Sequence, residues 1–403
     1  MIDDLDTELD KVSAEAILII GVSTSGNPPL AYVAGCNIPR GGLYIKKTGE
    51  DPVLIVGDLD VGSAKKGLVQ NIRPYSQFNF MQLIGEHGID EARVRLFDEV
   101  LKGMGVHKRV VLSGMIEAGQ AIDITRRLEK HGYEVIAEPE LIERVRRTKS
   151  PHELELIAQV ARKTEKVVHK TFDMLRNCPV SGEIVLHNKA PLTVADVKTF
   201  INRNLAEENL VAVFDTIFAP GSDGADPHNH GTPEREIKRD IPIVFDIFPQ
   251  DVSTGYCFDT TRTFVIGNAP HDVKKTHEDV AVAQQTALDQ IAAGADGQMI
   301  ARSVCEVLEA RKHKTPLYYL QNPGMAMEEG FIHGLGHGVG LTIGEPPSLS
   351  LMRECILAEG DVVTVEPGVY YPGKYGIRIE DTVTVEKTGF RNFSTLDKSL
   401  ELK

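Results

Sequence analysis

Four acidic residues in the second half of the chain lie in strand-like segments that are rich in apolar residues. These are Asp246 in IVFDIF, Asp259 in YCFDTTRTF, Glu366 in VVTVEPGVY and Glu380 in GIRIEDTV. Acidic residues are depleted in strands, and the burial of an unpaired carboxylate is energetically costly. We therefore expect a compensating positive charge among these four side chains.

Arginine supplies only part of that charge. Arg378 lies two residues before Glu380, and therefore on the same face of a regular strand. Arg262 is predicted to lie on the opposite face from Asp259, so it is not the partner of that carboxylate. Since one arginine cannot neutralise four carboxylates, divalent cations explain the pattern better. Carboxylates with an imidazole are suitable ligands for Mn²⁺, Co²⁺, Fe²⁺ or Zn²⁺.

The segment FIHGLGHGVGL offers the imidazole, with His333 and His337 four residues apart among glycines. Glycine lets the backbone approach a ligand closely. The same glycines are similar to a nucleotide-binding loop, but the G-x-G-x-x-G spacing fails and no strand-to-helix junction follows. We therefore interpret the segment as part of a metal centre.

Each of these residues alone has an ordinary structural explanation. A single strand carboxylate is most often at an edge or in solvent, and a single histidine is usually a hydrogen-bonded core or surface group. The joint occurrence of four such acids with HGLGHG favours a site. Asp381 and Glu386 are interpreted as solvent-facing strand ends. The ordinary explanation is also kept for five further histidines: His169, His187, His271, His277 and His313.

In these motifs the sequence resembles the pita-bread metallopeptidases, the family of prolidase, aminopeptidase P, methionine aminopeptidase and the metal-free creatinase. The KSPHE segment and NPPLAYVAG resemble the prolidase and creatinase branch in particular. The catalytic motifs cover about residues 215–386, in the family's order. They are DPH at 226–228, FDI with GYCFDTTRTF at 245–264, HGLGHGVGL at 333–341, VEPGVY at 365–370 and GIRIED at 376–381.

The resemblance implies two divalent metal ions, of manganese, cobalt, zinc or iron. Asp246 would chelate one ion, Asp259 and Glu380 would bridge both, and His337 and Glu366 would complete the second. A bridging hydroxide would be the nucleophile, because cations lower the pKa of bound water.

Three further roles are carried over from the family. Glu366 would move a proton towards the leaving nitrogen. His228 would steady the substrate carbonyl or the oxyanion, and His333 would act in the substrate pocket. Arg378 would orient the bridging carboxylate.

Two departures from the family pattern bear on activity. The family places a histidine seven residues after the metal-binding one, where this chain has Gly344. The missing imidazole helps to bind the scissile peptide, which puts the substrate class in question; His230 is a weak candidate to replace it. The family's first strand pair also begins with D-x-G, a pattern that the segment at Asp246 lacks. The separation between Asp246 and Asp259 is two residues longer than is usual in the family, so we expect a longer turn with ligand geometry intact.

The predicted fold is α+β, with an N-terminal α/β creatinase/prolidase-type domain at residues 1–147 and a pita-bread catalytic domain at 148–403. Two capping boxes, Ser150 with Glu153 and Thr193 with Asp196, predict helix starts. Short apolar runs predict strands in the first domain at 16–22, 42–47, 53–57, 109–114 and 133–137.

Composition excludes several classes of partner. Lys and Arg number 44 against 58 Asp and Glu, so the net charge is −14, which disfavours nucleic acid and anionic membrane. We expect neither a transmembrane span nor a signal peptide. Five scattered cysteines without a CxxC pair indicate a reducing compartment, and a cytoplasmic location is predicted.

The predicted function is a dinuclear-metal hydrolase that cleaves the peptide bond before proline in short peptides, as an Xaa-Pro dipeptidase or aminopeptidase. Proline removes the amide N–H and defeats general peptidases. One alternative is a non-peptidase metal-dependent hydrolase or lyase acting on a small amide or carboxylate, which Gly344 favours. The other is a metal-free binding protein of this fold. The resemblance also implies a homodimer.

Overall fold

The structure, a computed structural model, describes residues 2–402. It divides into two compact units. The first contains the residues up to Arg146 together with Ser253–Gly255, and the second contains Arg147–Val252 and the residues from Tyr256 onward. Within the described residues, no helix has the length and the apolar character needed to cross a membrane.

The first unit is built on one mixed six-stranded sheet in the order β4-β3-β2-β1-β5-β6. Strand β1 is buried along its whole length and pairs antiparallel to β2 and parallel to β5. The strands are β1 Ala16–Gly21, β2 Gly42–Lys47, β3 Val53–Val56, β4 Asn71–Pro74, β5 Arg109–Ser113 and β6 Glu134–Ile136. The five predicted strands are confirmed, and β4, which is short and polar, was not predicted.

In the described part of the chain, α-helices α1 to α7 accompany this sheet, and α5 and α6 contribute the most to its core through Phe97, Val100 and Leu128. The helices are α1 Ile2–Lys11, α2 Pro28–Ala34, α3 Val61–Ala64, α4 Phe80–His87, α5 Ile89–Gly103, α6 Ala118–Lys130 and α7 Leu141–Arg147.

The second unit contains two larger sheets, in the orders β11-β12-β14-β22 and β16-β15-β17-β20-β21, and the hairpin β18-β19. The strands are β7 Val180–Ser181, β8 Ile184–His187, β9 Ala190–Pro191, β10 Leu210–Val211, β11 Ile217–Pro220, β12 Pro242–Ile247, β13 Gln250–Asp251, β14 Thr260–Ile266, β15 Gly336–Val339, β16 Ile343–Leu349, β17 Val362–Val365, β18 Gly368–Tyr371, β19 Tyr375–Arg378, β20 Asp381–Val385, β21 Phe390–Asn392 and β22 Glu401–Leu402.

Helices α10 and α11 form one apolar core with the strands that flank Glu366 and Glu380. Val280 and Ala283 of α10 and Val304 of α11 belong to the same buried cluster as Val365 and Ile379. The helices of this unit are α8 Pro151–Arg176, α9 Val194–Glu207, α10 His271–Leu288, α11 Gly297–Ala310 and α12 Pro316–Gln321.

Both predicted capping boxes are present. The Ser150 hydroxyl accepts from the Glu153 N–H and the Glu153 carboxylate accepts from the Ser150 N–H, which fixes the start of α8. Thr193 and Asp196 do the same for α9. Each box satisfies backbone donors that have no partner inside the helix.

The interpretation of Asp381 as a solvent-facing residue was wrong. Its carboxylate is fully buried and forms ion pairs with Arg262 at 2.7 Å and Lys398 at 2.6 Å. Two dedicated cations make this burial tolerable. Sequence spacing gave no indication of them, because both partners lie in other segments of the chain.

Candidate metal centre

Two of the predicted acidic ligands are brought together by strand register. Asp246 in β12 lies opposite Thr261 in β14, and Thr261 forms an antiparallel bridge to Glu380 on its other side. The Thr261 hydroxyl donates to Glu380 Oε2 at 2.7 Å. Asp246 and Glu380 therefore flank one threonine across three adjacent chain segments.

The predicted ligands Asp259, His337 and Glu380 converge most closely. One ligand atom from each lies within 4.8 Å of the others. His337 Nε2 is 3.8 Å from Asp259 Oδ2 and 3.3 Å from Glu366 Oε1. Three carboxylates and one imidazole therefore share a single small volume.

Three of the four acidic residues lie where a strand begins or ends, whereas the sequence suggested strand interiors. Asp259 immediately precedes β14, Glu366 lies between β17 and β18, and Glu380 lies between β19 and β20. Only Asp246 is inside a strand. A break in a strand frees a side chain from strict alternation, so residues from different strands can point to one place.

Thr364 connects the histidine segment to Glu366. The His337 N–H donates to Thr364 Oγ1 at 3.0 Å, and this hydroxyl donates to Glu366 Oε1 at 3.1 Å. The contact is possible because residue 336 is glycine: a Cβ there would lie 2.0 Å from the Thr364 carbonyl oxygen. The glycine at 336 thus allows close approach to a neighbouring strand, whereas the predicted approach to a ligand stays a prediction.

The His337 ring is held in an orientation suited to metal binding. Its Nδ1 lies 3.1 Å from the Gly338 carbonyl and 3.3 Å from the Gly344 N–H. When Nδ1–H donates to the Gly338 carbonyl, Nε2 keeps its lone pair on the side of Asp259 and Glu366. A carbonyl acceptor of this kind is the usual support for a metal-binding histidine.

The clustered carboxyls disfavour ionisation in the absence of cations. Burial, and next the charge of Glu380, raises the pKa of Asp259 well above its usual range. Burial and the charges of Glu366 and Asp246 do the same for the pKa of Glu380. Burial raises the pKa of Glu366 to about 7, against the lowering effect of Arg378. Cations among these groups would reverse all three shifts.

Arg378 is the positive side chain of this cluster, and its direct partner is Asp246. Arg378 Nη2 lies 2.7 Å from Asp246 Oδ2, and both side chains are almost fully buried. Its Nε donates to Thr261 Oγ1 at 3.2 Å, and Thr261 in turn donates to Glu380. Arg378 thus reaches the predicted bridging carboxylate through a hydroxyl.

His333 is a neutral imidazole with both nitrogens engaged. Nδ1 lies 2.7 Å from the Gly334 carbonyl, which can only accept, so Nδ1 carries the proton. Nε2 accepts from the Tyr370 hydroxyl at 3.0 Å, and that hydroxyl accepts from Arg378 Nη1 at 2.6 Å. Burial, and next the charge of Arg378, lowers the pKa of His333 to about 3.

His228 lies beside the cluster, without a direct contact to the predicted ligands among the described residues. Its side chain is exposed, and the preceding Pro227 carbonyl lies 3.5 Å from Arg378 Nη1. His230, the weak candidate for the missing imidazole, is bonded through Nδ1 to the Asp215 carbonyl at 2.6 Å. Position 344 is exposed, and a Cβ added there would contact nothing within 4 Å.

The side chains present fit divalent cations. Within residues 2–402, Asp246 Oδ1 and Asp259 Oδ1 are buried without a hydrogen-bond partner. Buried carboxylate oxygens are ordinarily paired, so two such atoms beside His337 and Glu380 require an explanation. The donor set of carboxylate oxygens and one imidazole nitrogen is the set that Mn²⁺, Co²⁺, Fe²⁺ and Zn²⁺ accept.

The sequence analysis missed three supporting residues: Thr261, Thr364 and Tyr370. Thr364 stands two residues before Glu366 and Thr261 two residues after Asp259, so the strand period of two could have indicated the threonines. Tyr370 closes the quoted VEPGVY motif. Its hydroxyl bonds depend on tertiary contacts that no local pattern reveals.

The chain is similar to known metallopeptidases. The profile described as metallopeptidase family M24 matches residues 155–387. An Xaa-Pro dipeptidase of Pyrococcus horikoshii is 28% identical over 395 residues, which is 97% of this chain and 96% of that protein.

Solved structures show the same fold. The crystal structure of the prolidase from Pyrococcus horikoshii superposes with a TM-score of 0.76 at 24% identity, covering 99% of both chains. An Xaa-Pro dipeptidase from Bacillus anthracis gives 0.78 at 20% identity, covering 99% of this chain and 98% of the other. The α+β fold and the resemblance to the pita-bread family are confirmed.

Proposed function

Because the chain belongs to metallopeptidase family M24, we propose that it hydrolyses the peptide bond before proline in short peptides. The observation that carries the proposal is the convergence of Asp259, His337 and Glu380, with buried carboxylate oxygens that lack a partner. The full-length similarity to a protein named Xaa-Pro dipeptidase supports the choice of substrate.

We propose that Asp246, Asp259, His337, Glu366 and Glu380 hold two divalent cations, with manganese, cobalt, zinc or iron as candidates. When bound, such cations lower the pKa of water and polarise a substrate carbonyl. The protein supplies the arrangement of donors, because strand register places Asp246 and neighbouring hydroxyls hold Glu366 and Glu380.

Glu366 would handle the proton in this reaction. Its Oε1 is held by Thr364 and lies 3.3 Å from His337 Nε2, so the carboxyl stays at the centre of the cluster. We propose that it takes a proton from water and delivers it to the leaving nitrogen.

The remaining predicted residues would orient substrate and ligands. His228, exposed beside the cluster, would donate to the substrate carbonyl. His333, neutral and held by Tyr370, would present a fixed ring to the substrate pocket. Arg378 would hold Asp246 directly and Glu380 through Thr261.

Gly344 supports a second candidate, a metal-dependent hydrolase of small amides. Gly344 has open space around the position of a Cβ, so the site lacks the imidazole that the family resemblance implies for binding a scissile peptide. A homodimeric state and a cytoplasmic location are also proposed, the latter in keeping with five free cysteines.

The test is a substrate panel on protein stripped of metal and reconstituted separately with Mn²⁺, Co²⁺, Zn²⁺ and Fe²⁺. We expect cleavage of Xaa-Pro dipeptides or Xaa-Pro-Yaa tripeptides and none of the matched Xaa-Ala peptides. Asp259→Asn should abolish turnover, whereas the exposed control Glu386→Gln should retain it. Cleavage of small amides without any Xaa-Pro cleavage would favour the second candidate and refute the first.

A further inference from the structure

Gln284 of α10 is a buried polar residue in an otherwise apolar helix face. Only 1% of its surface is exposed, and it packs among the residues that support the strands of the metal centre. Its amide Nε2 donates to two backbone carbonyls, those of Val365 at 3.0 Å and Ile379 at 3.2 Å. One side chain therefore joins two separate segments of the sheet.

Those two carbonyls belong to the residues immediately before Glu366 and Glu380. Val365 is the last residue of β17, and Ile379 lies in the gap between β19 and β20. Buried carbonyls at such breaks need partners from outside the regular ladder. The Gln284 amide supplies both, and so it connects the backbone at the two glutamates by a single planar group.

The C-terminal segment fixes the orientation of this amide. Lys398 Nζ donates to Gln284 Oε1 at 2.7 Å and forms an ion pair with Asp381 Oδ2 at 2.6 Å. Because an ammonium group can only donate, it selects the amide rotamer in which Nε2 faces the carbonyls. Asp381 directly follows Glu380, so Lys398 also holds the far side of that ligand.

We propose that Gln284 is a positioning residue that fixes the separation of Glu366 and Glu380 and thereby sets the affinity of the site for divalent cations. The proposal rests on the proposed metal centre. Gln284 touches neither ligand side chain; it acts through the backbone of the preceding residues. An apolar residue of the same size would fill the same space in the core but would leave the two carbonyls free to separate.

The experiment is a Co²⁺ titration of metal-free protein, followed by calorimetry and by the visible absorption of the bound ion. Gln284→Met keeps the length of the side chain and removes the amide. We expect its affinity to fall by about 10–100-fold, the effect typical of residues that support metal ligands, with a changed absorption spectrum. Gln298→Met is the matched control, because Gln298 also donates its amide to a backbone carbonyl, that of Leu351. It should leave affinity and spectrum unchanged.

The outcomes separate this inference from the proposed function. If the wild-type protein binds no Co²⁺, the metal centre itself is wrong. If the wild type binds and Gln284→Met shows the same affinity and spectrum, the positioning role is refuted. If circular dichroism shows that Gln284→Met does not fold, Lys398→Met is the second test. This variant keeps the Gln284 amide but removes the group that fixes its orientation. Unchanged Co²⁺ affinity and spectrum in Lys398→Met would refute the positioning role.

Discussion

Replacing Glu366 with glutamine should stabilise the metal-free protein at alkaline pH, although it removes a proposed ligand. Burial raises the pKa of Glu366 from 4.5 to about 7. A carboxyl with a higher pKa in the folded state contributes stability while it is protonated. That contribution is fully present below the unfolded pKa and is lost as the pH rises through the folded one. At roughly 1.4 kcal/mol per pH unit, the loss approaches about 3 kcal/mol above pH 7.

Urea unfolding with a chelator present would measure this effect at pH 5 and pH 8. Circular dichroism is the suitable signal, because the chain contains no tryptophan. From pH 5 to pH 8, the difference in unfolding free energy between Glu366→Gln and the wild type should shift by about 2 to 3 kcal/mol in favour of the variant. His277 and His333 are common to both proteins, and Glu366 is not among the causes of their lowered pKa, so their titration cancels. A difference that does not change with pH, or that favours the wild type at pH 8, would refute the reasoning.

Three further outcomes are expected. Lys149→Met breaks a pair with Glu345 in which both side chains are at most 3% exposed, and should cost about 3–5 kcal/mol of unfolding free energy. As a control, Lys238→Met breaks an exposed pair and should cost less than about 1 kcal/mol. The double variant Lys149→Met/Glu345→Leu should recover most of the stability that Lys149→Met loses. Strict additivity of the two single changes would contradict the pairing. His228→Ala should lower kcat by about 100-fold or more with unchanged metal content by mass spectrometry; lost metal would contradict the role. Gly344→Ala should lower stability in urea unfolding by about 1 kcal/mol, because the φ of 84° strains any side chain; an unchanged midpoint would show that no strain arises.

Local structure could be predicted from the sequence wherever a few neighbouring residues determine it. The start of α8 follows from Ser150 and Glu153, because a hydroxyl and a carboxylate three residues apart satisfy each other's backbone donors. The strands of the first unit follow from their apolar runs. Strand β4, with the sequence NIRP, carries no such run, and its pairing with β3 supplies the hydrogen bonds that its composition does not predict.

The arrangement of the site could be predicted only in part. Residue types indicated which side chains have metal-binding chemistry, but they did not reveal that Glu366 and Glu380 lie between strands. They also did not reveal that Arg378 contacts Asp246 directly and Glu380 only through Thr261. These features depend on register between distant segments, which a period of two along one strand does not encode.

Asp381 and Asp259 show why burial alone does not identify a metal ligand. Both carboxylates are buried in the second unit. Burial tends to raise the pKa of Asp381, but Arg262 and Lys398 lower it below its usual value, as expected for a carboxylate with two dedicated cations. Burial, and next the charges of the neighbouring carboxylates, raises the pKa of Asp259, and the nearby Arg378 is itself paired with Asp246. The two cations beside Asp381 therefore indicate a structural role, whereas Asp259 has no dedicated cation among the described residues, as we expect of a proposed metal ligand.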